Sequence, residues 1–254
     1  MNRLKMEKLS LKSQDQQWLL AGIHGSFEPA KVNMVLGPNG SGKTLLLRCL
    51  AGLMLPTKGS VQIGSKSLHS FNLMNRSRLI GWLPTHCHIP FNFTVFDVLL
   101  MGRFPFHQGN ITSNDRIICR SLLAELNIEA LSQRTYLNLS QGEQVKVQLA
   151  RVLAADPSYL ILDEICANLD IKAKIDVLKL LQVLAQRGKT IILSHHDLHS
   201  VAGYADYILM MKDGRIAAQG PTTDIFQSQM IENVFGLKPR IWHRFDQESL
   251  SLIF

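Results

Sequence analysis

The sequence predicts an α/β fold with a mainly parallel sheet. Apolar runs rich in branched residues recur at Val32 to Leu36, Tyr159 to Leu162, Thr190 to Leu193 and Tyr207 to Met211. Segments of helix length separate them, the alternation expected of buried parallel strands joined by crossover helices. Two of the runs end directly in polar sequence, Gly37 after the first and Asp163 after the second. Ligands of open α/β sheets bind at the carboxyl ends of strands, so both junctions are candidate sites.

The first run leads into Gly37-Pro38-Asn39-Gly40-Ser41-Gly42-Lys43-Thr44 and then into the apolar helix Leu45 to Leu53. This satisfies G-x-x-x-x-G-K-[ST] in the strand-to-helix context that the mechanism requires. Three glycines let successive N–H groups turn inward on phosphates, and the helix presents its positive end to the same charge. The expected ligand is ATP, with Lys43 on the β- and γ-phosphates and the Thr44 hydroxyl on Mg²⁺.

From about Pro84 to Asp156 the patterning becomes helical, at Asp115 to Asn127 and at Val145 to Leu153, where Val145, Leu149, Val152 and Leu153 share a face. Just before that second helix, Ser140 and Glu143 have capping-box spacing. Ser140 can therefore cap the helix, and its hydroxyl, with the Gly142 N–H, can meet a phosphate. The strand Tyr159 to Leu162 then ends in Asp163 and Glu164. Neighbouring strand residues face opposite ways, so the two acids take different tasks. Asp163 is expected to serve Mg²⁺ and Glu164 to act as general base on the attacking water.

After Thr190 to Leu193 comes a histidine cluster, His195, His196 and His199. His196 is expected to donate to the γ-phosphate. A metal site through His195 and His199, four apart, is the alternative, but only the start of a helix follows the strand and no carboxylate or cysteine completes a set. His86 and His88 could likewise bind metal from a loop, and the favoured reading is that they are plain surface-loop residues. After Gly236 the tail turns mixed and ends in the apolar Leu250 to Phe254, expected to pack as a short strand or helix.

Composition narrows the function classes. Of the 254 residues, 46% are apolar, enough for a sizeable core. No stretch offers the roughly 18 to 20 uninterrupted apolar residues of a membrane span. Met1 to Lys12 is basic without the apolar run of a secretory signal, so a cytoplasmic chain is expected. Cysteines 49, 87, 119 and 166 are scattered, which predicts reduced thiols. The net charge of +7 suits nucleic acid or an anionic membrane face. With no dense basic block carrying interleaved aromatics, nucleic acid is not an expected partner.

Leu139-Ser140-Gln141-Gly142-Glu143-Gln144 resembles the signature of ATP-binding subunits of ABC transporters, L-S-G-G-[QE], and Ser140 lies 23 residues before Asp163 as in that family. Ala167-Asn168-Leu169-Asp170 is similar to the D-loop of the family, and Ser194 to Leu198 to its switch-histidine segment, with His196 at the histidine position. Thr94 to Pro105, with Gly102-Arg103-Phe104-Pro105 at its end, resembles subunits that import ferric siderophores, haem or cobalamin.

The resemblance implies one ABC ATP-binding domain over 1–254. Its P-loop core would take 1–83 and 156–236 with an antiparallel N-terminal β region, its helical subdomain 84–155, and a C-terminal extension 237–254. It implies an ATPase working as a head-to-tail homodimer, in which Ser140, Gln141, Gly142, Glu143 and Asp170 complete the ATP site of the other subunit. It also implies transmembrane permease partners, a periplasmic or extracellular solute-binding protein acting indirectly, and a peripheral position on the cytoplasmic face of the inner membrane. The rival reading is a soluble ABC ATPase of nucleic acid, ribosome or iron-sulfur assembly; those with DNA or ribosome roles usually carry coiled-coil insertions or two ATP domains, and neither is visible in the sequence.

Some positions depart from the family. Thr85 stands where a glutamine usually follows Leu-Pro, and Thr85 to Thr94 keeps the usual nine-residue spacing. Threonine reaches less far, so any contact with Mg²⁺ or the attacking water would pass through another water, unless Thr85 merely caps the helical stretch. The usual adenine-stacking aromatic is missing at Lys12-Ser13-Gln14; Trp18 is a candidate substitute, and a core role for it is the favoured expectation. Gln141 replaces a glycine, and Ile165-Cys166 replaces Pro-Thr.

Overall fold

The computed structural model describes residues 2–107, 109–196, 198, 203–237, 240–243 and 250–253. Two compact units form, Met1–Phe71 with Lys179–Phe254, and Asn72–Leu178. In chain order the first begins with β1 (Leu4–Lys12), β2 (Trp18–Ser26), β3 (Val32–Leu36), α1 (Lys43–Leu50), β4 (Lys58–Ile63) and β5 (Lys66–Ser67). The second holds α2 (Leu73–Leu79), β6 (Ile80–Leu83), α3 (Val95–Met101), α4 (Phe104–His107), α5 (Ser113–Glu125), α6 (Gln141–Leu153) and β7 (Tyr159–Asp163). Helix α7 (Ile171–Gln186) starts in the second and ends in the first. The first unit is completed by β8 (Thr190–Ser194), β9 (Tyr207–Lys212), β10 (Arg215–Pro221), α8 (Thr222–Ile225), α9 (Ser228–Phe235), β11 (Arg240–His243) and β12 (Leu250–Ile253).

In the first unit β3 is central, parallel to β8 on one side and β9 on the other. All five residues of β3 and of β8 are buried, which is why these runs show no polar alternation. The antiparallel sheet β2-β1-β4-β5 alternates instead. In β1 the buried residues switch parity, from Leu4 and Met6 to Leu9 and Leu11. A shift in pairing between Glu7 and Ser10, with Lys8 at φ 48°, absorbs the extra residue and keeps the leucines facing inward. Strands β11 and β12 pair as an antiparallel hairpin in the tail, and Phe254 lies outside the described residues.

Trp18 is not in the core. It opens the edge strand β2, is 46% exposed, and carries the ammonium groups of Lys12 and Lys58 at 4.8 and 5.6 Å from its ring centroid. An edge position next to two lysines suits an aromatic ring as a cation platform better than as filling.

In the second unit β6 and β7 run parallel, with Leu83 opposite Leu162. Thr94, Thr112 and Ser140 open α3, α5 and α6, and each forms a capping box, with Asp97, Asp115 and Glu143 respectively. The first helix after Leu83 is thus capped by Thr94, and the capping alternative for Thr85 falls. Helix α6 starts at Gln141, earlier than the apolar pattern from Val145 suggested, and Val145 itself is only half-buried.

Arg103, in the Gly102-Arg103-Phe104-Pro105 stretch that ends the family-like segment, is 6% exposed. Its Nε donates to Asp115 Oδ1 and its Nη1 to the Ala154 carbonyl, both at 2.8 Å, with the Phe106 ring centroid 4.1 Å away. It ties the first turn of α5 to the last turn of α6. The Asp115 carboxyl is held down at about 2, first by the Thr112 hydroxyl and also by Arg103. All four cysteines are free, and among the described residues no helix is long and apolar enough to cross a membrane.

Candidate functional site

The Gly37–Thr44 loop leaves the buried strand β3 and enters α1. Gly42 sits at φ 97°, and a side chain there would also press on Leu20 Cδ2 at 2.7 Å. At Gly37 a Cβ would collide with the Met211 carbonyl of β9. Both positions therefore require glycine. The loop is closed by Ser41 N–H donating to the Pro38 carbonyl at 3.2 Å. Lys43, 5% exposed, donates from Nζ to the carbonyls of Gly37 at 2.9 Å and Pro38 at 3.1 Å. The buried Ser41 Oγ has no partner among the described residues.

A brace missed in the sequence comes from the turn between β9 and β10. Gly214 N–H donates to the Ser41 carbonyl at 3.2 Å, and the Gly214 carbonyl accepts from Ala21 N–H at 2.9 Å. The Asp213-Gly214 pair marks a turn, but nothing in it names the partner.

Strand register brings His196 to the same end of the sheet. Val35 pairs with Ser194, so Gly37 and His196 each lie two residues beyond one register point on neighbouring parallel strands. His196 is exposed and His195 is 1% exposed, their rings 5.7 Å apart. Among the described residues no three His, Cys, Asp or Glu groups could hold a metal together, and His199 lies outside them.

In the second unit the same geometry recurs. Leu83 pairs with Leu162, so Thr85 and Glu164 leave β6 and β7 side by side. Asp163 is 2% exposed at the end of β7. Glu164, half-buried, adopts φ 48°, a left-handed conformation uncommon for a residue other than glycine, which turns the chain sharply off the strand. Thr85 and Glu164 line one cavity of about 260 Å³ together with Gln141, Gln148 and Cys87. His86 and His88 are exposed, as expected of a surface loop, and also line it.

Ser140 N–H donates to Glu143 Oε2 at 2.8 Å, the Ser140 hydroxyl donates to the same oxygen at 2.9 Å, and Glu143 N–H donates to Ser140 Oγ at 3.3 Å. These bonds from Ser140, with Arg134 nearby, hold the Glu143 carboxyl below the usual carboxylate range. Asp170 accepts from Ala173 N–H at 2.8 Å in the first turn of α7. Ser140, Gln141, Gly142, Glu143 and Asp170 line one open groove of about 500 Å³. Gln141 thus borders both groove and cavity. Ile165 and Cys166 are buried, so at these departures the chain packs apolar side chains.

A family model described as ABC transporter matches residues 20–167. A hemin import ATP-binding protein of Gloeobacter violaceus is 38% identical over 229 residues, covering 87% of this chain and 83% of the relative. One from Hahella chejuensis is 36% identical, covering 94% and 95%. The solved structure of an inward-facing metal-chelate type ABC transporter superposes with a TM-score of 0.86 at 26% identity, covering 100% of this chain and 97% of that one.

Proposed function

The chain belongs to the ABC transporter family as an ATP-hydrolysing subunit, and from that premise we propose that it powers import of haem or a related metal chelate through a permease pair. The observation that carries the mechanistic part is the paired exit of Thr85 and Glu164 from neighbouring parallel strands, beside the buried Asp163. The naming of the relatives as hemin importers supports the solute.

In this reading Gly37 to Thr44 binds the phosphates of ATP, with loop N–H groups and the Lys43 ammonium as donors. The Thr44 hydroxyl and Asp163 carboxylate are hard oxygen donors of the kind Mg²⁺ takes, and the near-complete burial of Asp163 at a strand end suits a carboxylate facing a cation. Magnesium, held by these two residues, would neutralise negative charge on the phosphate oxygens. Glu164 accepts a proton from the attacking water as the new P–O bond forms and the bond to the ADP oxygen breaks. His196 donates to the γ-phosphate from the same sheet end as the loop.

The exposed groove holding Ser140, Gly142 and Asp170 would meet the nucleotide of a second copy, giving the head-to-tail dimer. Permease subunits would dock at the helical stretch 84–155, with the chain peripheral on the cytoplasmic membrane face and a solute-binding protein acting on the far side. The test is hemin uptake into vesicles carrying the co-purified permease pair. ATP-dependent uptake is expected; hydrolysis that hemin and its binding protein leave unchanged, with no uptake, overturns the solute assignment.

A further inference from the structure

Three of the four cysteines are fully buried, and burial pushes their thiols up, Cys49 and Cys119 to about 11 and Cys166 to about 12. Such thiols stay protonated and out of reach of oxidants. Cys87 is different: it is half-buried, lines the 260 Å³ cavity, and its Sγ accepts a hydrogen bond from Arg151 Nη2 at 3.8 Å.

Two buried polar atoms near it lack partners among the described residues. One is Gln148 Oε1, on a side chain 3% exposed that lines the same cavity; its Nε2 donates to the Tyr136 hydroxyl at 3.0 Å. The other is Arg151 Nε. Gln148 and Arg151 lie three apart on α6 and so share a face. The site thus offers one spare acceptor and one spare donor. A thiol, a weak donor and weak acceptor, satisfies neither well. A sulfur bearing a hydroxyl carries both kinds of group, an oxygen that would accept from an N–H such as Arg151 Nε–H and a proton that would go to an acceptor such as Gln148 Oε1.

We propose that Cys87 is a modification site for hydroperoxides, forming a sulfenic acid inside this cavity, and that the modification suppresses ATP turnover. In the step, Sγ attacks one oxygen of hydrogen peroxide, the S–O bond forms as the O–O bond breaks, and the departing hydroxide takes the thiol proton to leave as water. Sulfur is oxidised by two electrons and the peroxide is reduced. The product adds an oxygen and hydrogen bonds from the 84–88 loop to α6 in the cavity where Thr85 and Glu164 stand. Loss of turnover rests on Glu164 being the base; formation of the sulfenic acid does not.

The experiment treats the full chain with hydrogen peroxide and traps sulfenic acid with dimedone for peptide mass spectrometry, with ATP hydrolysis followed in parallel. Label is expected on Cys87 while Cys49, Cys119 and Cys166 stay unmodified. Turnover should fall several-fold and return with dithiothreitol. Cys87→Ser should keep basal turnover and ignore peroxide, and Gln148→Leu should shorten the lifetime of the sulfenic acid. Label absent from Cys87, equal peroxide sensitivity in Cys87→Ser, or full turnover by labelled protein each overturns the proposal. Because wild type carries the labelling test, a variant that folds poorly does not shelter it. If Cys87 stays unlabelled while Glu164→Gln abolishes turnover, the switch fails and the assignment of the base stands.

Discussion

The loop that leaves β3 and the loop that leaves β6 both start at the carboxyl end of a parallel strand, yet they use their polar groups differently. From Gly37 to Gly42 the main chain is bonded to itself, braced by the Gly214 N–H, and gripped by its own Lys43. From Pro84 to His88 the chain borders a cavity in which Gln148 Oε1 has no partner among the described residues. A cradle of main-chain donors has one geometry and binds one kind of group. A cavity lined by amides, a hydroxyl, a thiol and a carboxylate leaves room for water and for chemistry.

That contrast predicts that variants on the two sides fail differently. The largest effect belongs to Glu164→Gln, which removes the proposed base and leaves the phosphate cradle untouched. Turnover should fall by about a hundredfold to ten-thousandfold, the range for losing general base catalysis. ATP affinity measured by calorimetry should stay near that of wild type. Turnover at the native rate would move the chemistry away from this cavity.

Next comes the frame of the second unit. Arg103→Met leaves Asp115 buried without its cation, which should cost about 3 to 5 kcal/mol of stability in urea unfolding. The acid limb gives an independent check. The folded Asp115 carboxyl lies at about 2, below its ordinary 3.8, so its contribution is present above pH 3.8 and is lost as pH falls toward 2. Asp115→Asn should flatten that limb. A wild-type stability that does not decline there would leave the pair idle.

On the cradle side, Lys43→Ala removes an ammonium that can meet phosphate, and ATP affinity should drop about tenfold to a hundredfold, the worth of hydrogen bonds to a charged group. Unchanged affinity would mean that main-chain donors alone hold the nucleotide.

The cradle was legible in the sequence because it needs glycine where φ is positive and lysine at one position, and few other sequences meet both demands. Register made Thr85 and Glu164 neighbours, a relation between strands nearly eighty positions apart that no local pattern records. Ser140 was legible as a cap, whereas the start of α6 was not, since its first turn is polar and the apolar stripe begins only at Val145. Arg103 escaped because charge in a sequence reads as surface, and its partners, Asp115 and the Ala154 carbonyl, lie on other helices. The brace from Gly214 is a main-chain bond and has no side-chain signature at all. Trp18 misled because a large apolar ring is usually buried, while an edge strand beside Lys12 and Lys58 gives it other company.

The smallest effect on binding, and the finest test of the contrast, is Thr85→Gln. Thr85 caps no helix, because Thr94 does, and it leaves β6 beside Glu164 to line the cavity. Lys43 and the loop N–H groups supply the proposed ATP contacts, so affinity should change by less than about threefold, a contact worth under about 0.6 kcal/mol. A longer amide can reach the attacking water directly where threonine needs a bridging water, and that contact acts mainly in the transition state. The variant should therefore alter how strongly the permease stimulates hydrolysis while leaving binding alone. Hydrolysis by wild type and Thr85→Gln, each with and without permease in lipid, reads this out. Identical stimulation ratios would remove Thr85 from the coupling path and pass the role to a neighbour such as His86, which lines the same cavity.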